Sequence, residues 1–469
     1  MTKLNRDILY LILEELQDNK RTLYSSLTVN KTWCEIIIRI LWRNPWKYLI
    51  NGFKEFSFFV VIVSHLSEES KNELKFQGVD LPTASSQTLL FNYISFCRHL
   101  NLNAFDKMFN TVKYHYSNST LSILKNEIYN LFINENTKFT HLYLPQKFYY
   151  RFSGAQKCFS EIVFLSCNTN IDYNILDELT KICKSIKELE LLINVNNNNF
   201  GIARLIDIPK NLVNVRFLAN YPNSYRLWAN YYDTNNESFH KTLENSLIKR
   251  SNTIRNLKLN KQPTVNILSS FNNLISLELD CGCSYEWNEW NSLENLTLPF
   301  LQILKARYIP VKYLTSLIEN TSGSLIEVKI DYTTHDDIEN RKIIQAIYHN
   351  CPRLKHLKLV IRNKNFSELE KLLINCQSLI SLYILTNDVE FDWNNLFKIL
   401  TKLSPNNLFK FKFFSSYVSP SLESLEIFLD NWKGGNSLSV KFNNIKHTEE
   451  YSDLIEKYKA KGVISKFDR

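Results

Sequence analysis

The chain has 469 residues, 44% of them apolar and 22% charged. That balance excludes a disordered polymer, and the length suits two or three domains or one long repeat array. The net charge of +9 is spread out, leaning basic only from Lys441 to Arg469, and reads as a solvated surface rather than a nucleic-acid groove.

The opening stretch LNRDILYLILEEL (4–16) carries Ile8, Leu9, Ile12, Leu13 and Leu16 at amphipathic helical spacing. Asn5 stands at the N-cap, and Asp7 places a negative charge in the first turn, where the helix dipole favours it. After the polar turn DNKR (18–21) come TLYSSLTV (22–29) and NKTWCEIIIRILWRNPW (30–46). The latter is a helix stopped by Pro45, with Trp33, Ile37, Ile40 and Leu41 on one face. Residues 47–135 read as a helical linker, and FSFFVVIV (56–63) as a buried helix too short to cross a bilayer. No basic segment followed by a long apolar one opens the chain, and nine cysteines lie scattered without a disulfide framework. A cytoplasmic and/or nuclear location is expected.

From residue 139 the pattern apolar-x-x-apolar-x-apolar recurs. The copies are FTHLYL (139–144), IKELEL (186–191), LVNVRF (212–217), IRNLKL (254–259), LISLEL (274–279), LENLTL (293–298), LIEVKI (325–330), LKHLKL (354–359), LISLYI (379–384) and LFKFKF (408–413). FSEIVF (159–164) is a weaker copy. Helical text such as KTLENSLIKRS (241–251) and SELEKLLINC (367–376) separates them. One strand of this kind cannot bury both faces alone, so neighbours must stack. The expectation is an α/β chain with a curved leucine-rich-repeat solenoid over 136–445 and a C-terminal cap or tail over 446–469. Cys183, Cys351 and Cys376 each precede a copy by the same spacing and read as small buried helix-end residues. Cys281-Gly282-Cys283 has no second ligand pair at zinc-finger spacing.

Side chains alternate along a strand, so residues flanking the last two apolar positions should face the concave side. These are Glu188 and Glu190, Asn214 and Arg216, Asn256 and Lys258, Glu278 and Asp280, Glu327 and Lys329, His356 and Lys358, and Lys410 and Lys412. They run from acidic through mixed to basic, which predicts a partner with a graded charge pattern. The surplus between 212 and 254 predicts a rim loop at 219–238 with Tyr221, Tyr225, Trp228, Tyr231 and Tyr232. Those rings are either target anchors or a cover for the core. Tyr285, Trp287 and Trp290 form a second aromatic step.

The opening order L-x-x-x-I-L-x-x-I-L-x-x-L, polar turn, L-x-x-x-L-x-V-N-K-x-W and L-W resembles the F-box, a three-helix module that docks on the Skp-type adaptor of a cullin ubiquitin ligase. The matching positions are Leu4, Ile8, Leu9, Ile12, Leu16, Leu23, Leu27, Val29, Asn30, Lys31, Trp33, Leu41 and Trp42. Asn5 stands where the family has proline. WRNPWKYL (42–49) and SLESLEIFLDNWKGGNSLSVKF (421–442) resemble a large group of fungal F-box/leucine-rich-repeat proteins. The resemblance implies an F-box domain over 1–46, with Leu4, Asn5, Ile8, Leu9, Ile12, Leu16, Leu23, Leu27, Val29, Trp33 and Trp42 meeting the adaptor, and through it a cullin. The repeats would then bind a target protein for ubiquitination, through Glu188, Glu190, Arg216, Tyr225, Trp228, Tyr231, Lys258, Glu278, Lys329 and Lys358.

Nine glycines form no phosphate loop or nucleophile elbow, and nine histidines form no HExxH. Neither catalysis, cofactor, metal, nucleic acid nor membrane is expected. The other reading is a repeat scaffold or inhibitor that binds a protein partner without a ligase. An RNA-associated repeat protein, which net charge alone favours, is a third.

Overall fold

The computed structural model describes residues 5–48, 52–82, 89–145, 154–182, 184–194, 198–219, 237–263, 266–281, 290–331, 335–443 and 449–468. The chain divides into two compact units, residues 1–192 with 197–212, and residues 193–196 with 213–469.

The first unit opens with α1 (Arg6–Glu15), α2 (Lys20–Ser26) and α3 (Lys31–Arg43). Each starts on an asparagine whose side-chain oxygen accepts a backbone N–H left over by the first turn. Asn5 takes Asp7 N at 3.1 Å, Asn19 takes Thr22 N at 3.2 Å and Asn30 takes Trp33 N at 3.0 Å. The inner faces meet as Leu9, Leu13, Leu23, Ile36, Ile37, Ile40 and Leu41. The helix Gly52–Ser64 contains the FSFFVVIV stretch, with Phe59, Ile62 and Val63 fully buried. No helix among the described residues is long and apolar enough to cross a membrane.

Four parallel strands come next: β1 (His99–Asn101), β2 (His141–Tyr143), β3 (Phe164–Asn168) and β4 (Glu188–Ile193). His99, His141, Phe164 and Glu188 stand in one register line. Two expectations from the sequence are corrected here. The 47–135 stretch is not wholly helical, because β1 begins the ladder inside it. FSEIVF is out of frame as well: β3 starts at Phe164, so the copy that builds it is Ile162-x-x-Leu165-x-Cys167, all three fully buried.

The second unit contains β5 (Asn214–Ala219), β6 (Asn256–Leu259), β7 (Ser276–Asp280), β8 (Ile303–Arg307), β9 (Glu327–Asp331), β10 (His356–Val360), β11 (Ser381–Thr386), β12 (Lys410–Ser415), β13 (Leu438–Asn443) and β14 (Ile464–Asp468). Each lies parallel to the next in chain order. Parallel neighbours need a returning segment between them, and here it is a helix or a short 3-10 turn. One strand and one return per unit is the leucine-rich-repeat architecture. Leu257, Leu277, Leu304, Val328, Leu357, Leu382, Phe411 and Val440 form a single buried line through the stack.

LENLTL is not a strand. Asn291–Leu293 is a 3-10 turn, and Leu293, Leu296 and Leu298 are buried in a returning limb. The strand comes later, from LQILKA (301–306), whose third apolar position is only Ala306. Cys351 and Cys376 are the C-caps of the helices Asp337–Asn350 and Phe366–Asn375, and burial pushes both thiols up to about 12. Cys183 and Gly282-Cys283 lie outside the described residues. The 446–469 tail carries a helix, Glu449–Ala460, and then β14, which extends the ladder beyond β13.

Candidate protein-interaction surfaces

The opening module has a filled inner side and an apolar outer one. α1 buries Leu9 and Leu13, while Ile8, Leu11 and Ile12 on its outer side are 50%, 62% and 47% exposed. Tyr24 and Val29 are also exposed. Three large aliphatic side chains exposed together on one short helix form a small apolar patch of the kind that marks interaction sites. Arg6 pairs with Glu35 at 2.9 Å and Arg43 with Glu14 at 2.6 Å, tying α1 to α3.

The residues expected to meet an adaptor therefore separate. Leu9 and Leu23 are core, at 4% and 0% exposed, and hold the face from behind. Leu16, Leu27 and Trp33 pack partly buried against that core. Trp42 also packs partly buried against that core, and its ring stacks 5.2 Å from Phe58 and 4.8 Å from Tyr93. Asn5 serves as the cap, and Leu4 lies outside the described residues. Ile8, Ile12 and Val29 remain presented.

In the first unit, the second surface is the sheet face of β1 to β4. His99 and His141 stack at 3.7 Å, and His141 stacks on Phe164 at 5.4 Å. Burial, helped by the neighbouring His141, pulls His99 down to about 3, and burial lowers His141 as well, so both rings resist protonation. Glu190 accepts from Ser166 Oγ at 2.9 Å, and Glu188 is half-buried beside it on the same face. Sequence spacing alone could not bring His99 and His141 together, because the long helical insertion between them breaks the period.

In the second unit, alternation works as expected: β6 to β9 each alternate half-buried and buried residues. Arg216, Lys258, Glu278, Lys305, Lys329, Lys358, Tyr383, Lys412 and Lys441 form one register line. Lys305 and Lys441 were missed from sequence, the first because LENLTL displaced its repeat. Burial raises the Glu327 carboxyl, but the ammonium groups of Lys329 at 2.8 Å and Lys305 at 3.5 Å outweigh it and hold it below its ordinary value. Trp290 is fully buried next to Leu293 in the returning limb and is core, not part of an exposed aromatic step. Tyr221, Tyr225, Trp228, Tyr231, Tyr232, Tyr285 and Trp287 lie outside the described residues. Among the described residues no group of three or more His, Cys, Asp or Glu is placed to hold a metal ion.

No protein-family model and no curated protein matches the chain. Among solved structures, it is similar to a leucine-rich-repeat-containing protein of Legionella pneumophila, at 17% identity, covering 63% of this chain and 98% of that one with a TM-score of 0.34. It is also similar to an LRR protein of Leptospira interrogans, at 15% identity, covering 67% and 85% with a TM-score of 0.26. Overlaps this loose carry no weight; the repeat architecture stands on the strand ladder and its register.

Proposed function

We propose that this chain is the substrate-recognition subunit of a Skp–cullin–F-box ubiquitin ligase. α1 to α3 dock the adaptor, the repeats hold a target protein, and the chain does no chemistry of its own. Such a receptor acts by effective concentration, holding a target where a charged ubiquitin carrier can reach it. The observation that carries the reading is the pairing on α1 of a core-facing side, Leu9 and Leu13, with an exposed apolar side, Ile8, Leu11 and Ile12. The F-box resemblance of the same residues adds to it. The reading places the protein in the cytoplasm or nucleus, without cofactor.

Co-expression with a Skp-type adaptor and affinity capture tests it. Replacing Ile8 and Ile12 with Asp should abolish capture, since a carboxylate buried in an interface without a partner costs several kcal/mol. Leu9 is left alone because it is core. Capture of the Ile8→Asp/Ile12→Asp variant at the wild-type level would sink the ligase reading.

A second reading, a repeat scaffold that binds a protein without a ligase, is favoured by how firmly the three helices join the rest of the first unit. Trp42 sits against both Phe58 and Tyr93, Trp46 Nε1 donates to His99 O at 2.6 Å, and Arg98 N donates to Arg43 O at 3.0 Å. On that reading α1 to α3 cap the first unit, and no adaptor is captured.

A further inference from the structure

Along β6 to β10 every lysine and arginine on the open face of the second unit has a carboxylate partner, with Glu327 shared by Lys305 and Lys329. Lys258 pairs with Glu278, Arg307 with Asp280 at 3.8 Å, Lys329 with Glu327 at 2.8 Å, and Lys358 with Asp331. Past β10 the lysines continue and the carboxylates stop: β11, β12 and β13 read SLYILT, KFKFFS and LSVKFN. Lys410 and Lys412 stand exposed on β12 and have no ion-pair partner among the described residues. They lie against rings instead, Lys410 5.2 Å from the Phe409 centroid and Lys412 6.0 Å from that of Tyr383. The register puts Lys412 between Tyr383 and Lys441, with the half-buried Phe414 two residues farther along β12. In the register of β13 and β14, Asp468 stands opposite Lys441.

We propose that the open face of β11 to β13 docks an extended, carboxylate-rich segment of a partner protein. Its Asp or Glu side chains supply at Lys410 and Lys412 the pairing that the sheet makes for itself on β6 to β10, and its apolar residues lie along Phe414. The sheet thus displays on its own strands the chemistry that completes it. A nucleic-acid strand fits less well, because it needs exposed rings for its bases to stack on. The ring in this line, Tyr383, is covered by Lys358 with Nζ 4.6 Å from its centroid. The inference rests on the target-binding half of the proposed function and not on the adaptor.

The test is fluorescence anisotropy of the full-length chain with a labelled peptide alternating Glu and Leu. Wild type should bind, and Lys410→Glu/Lys412→Glu should weaken binding by about tenfold or more. Lys410→Arg/Lys412→Arg should retain it. Lys398→Glu/Lys402→Glu, a charge-matched pair of exposed lysines on the helix Trp393–Leu403, should leave it unchanged. No binding by wild type overturns the inference, and so does equal loss in both charge-reversed variants, which would mean net charge alone. Tighter binding of single-stranded RNA or of anionic phospholipid vesicles than of the peptide also overturns it. Adaptor capture by the Lys410→Glu/Lys412→Glu variant should match wild type, so failure here and failure of the ligase reading are told apart.

Discussion

His240 is 3% exposed on the helix Glu237–Lys249, and its burial, with Lys261 nearby, pulls the imidazole from its ordinary 6.5 to about 3. Above the ordinary value the ring is neutral whether the chain is folded or not, and no stability is at stake. As pH falls below it, the unfolded chain takes up a proton that the folded chain refuses, so stability drops by up to ~1.4 kcal/mol per pH unit. Chemical denaturation at a series of pH values from neutrality down toward the folded value should show that slope, and His240→Leu should flatten it. An unchanged slope would mean that His240 is not the buried base described. His99, also pulled down to about 3 by burial, works in the same sense. None of this was legible in the sequence, where both residues are scattered histidines without a motif. Trp290 shows the same limit from the other side: an aromatic in polar text looks exposed until the returning limb is known to fold over it.

At the scale of elements, polar side chains inside the stack hold one return to the next. Asn340 Nδ2 donates to Val360 O at 2.8 Å, joining the helix Asp337–Asn350 to the end of β10. Asn365 Nδ2 donates to Asn340 Oδ1 at 2.9 Å and to Asp337 O at 2.8 Å. Both asparagines are fully buried, so no water replaces a lost partner. Asn340→Leu should therefore cost about 2–4 kcal/mol in urea denaturation, even though leucine suits a helix better. A cost near zero would show the network to be incidental. The strands were largely legible, because two buried positions with a solvated one between them leave a plain trace in text such as LKHLKL. LENLTL misled because leucines that pack a return can mimic that spacing, while the true strand hid its third position in Ala306. β1 was missed for a related reason, as its copy begins on Cys97 rather than on an aliphatic residue.

For the molecule as a whole, the sequence showed that the chain builds a repeat stack with a helical head. It could not show which residues of the head face outward, because the i, i+3/i+4 stripe of α1 includes Leu9 and Leu13, which are buried, as well as Ile8 and Ile12, which are not. The charge on the repeat face was readable strand by strand, yet which lysines are already paired depends on lateral register. A ladder of ten parallel strands, β5 to β14, also has a last member. Among the described residues no strand pairs with β14 on the side away from β13, and an unpaired edge of this kind is a site for strand addition. The strand reads ISKFD, and its exposed Lys466 is a charge that an incoming strand would have to bury. Lys466→Val should therefore promote association through this edge, seen as rising light scattering on incubation with little change in melting temperature. Ending a parallel stack is as much a matter of solubility as building it is a matter of burial.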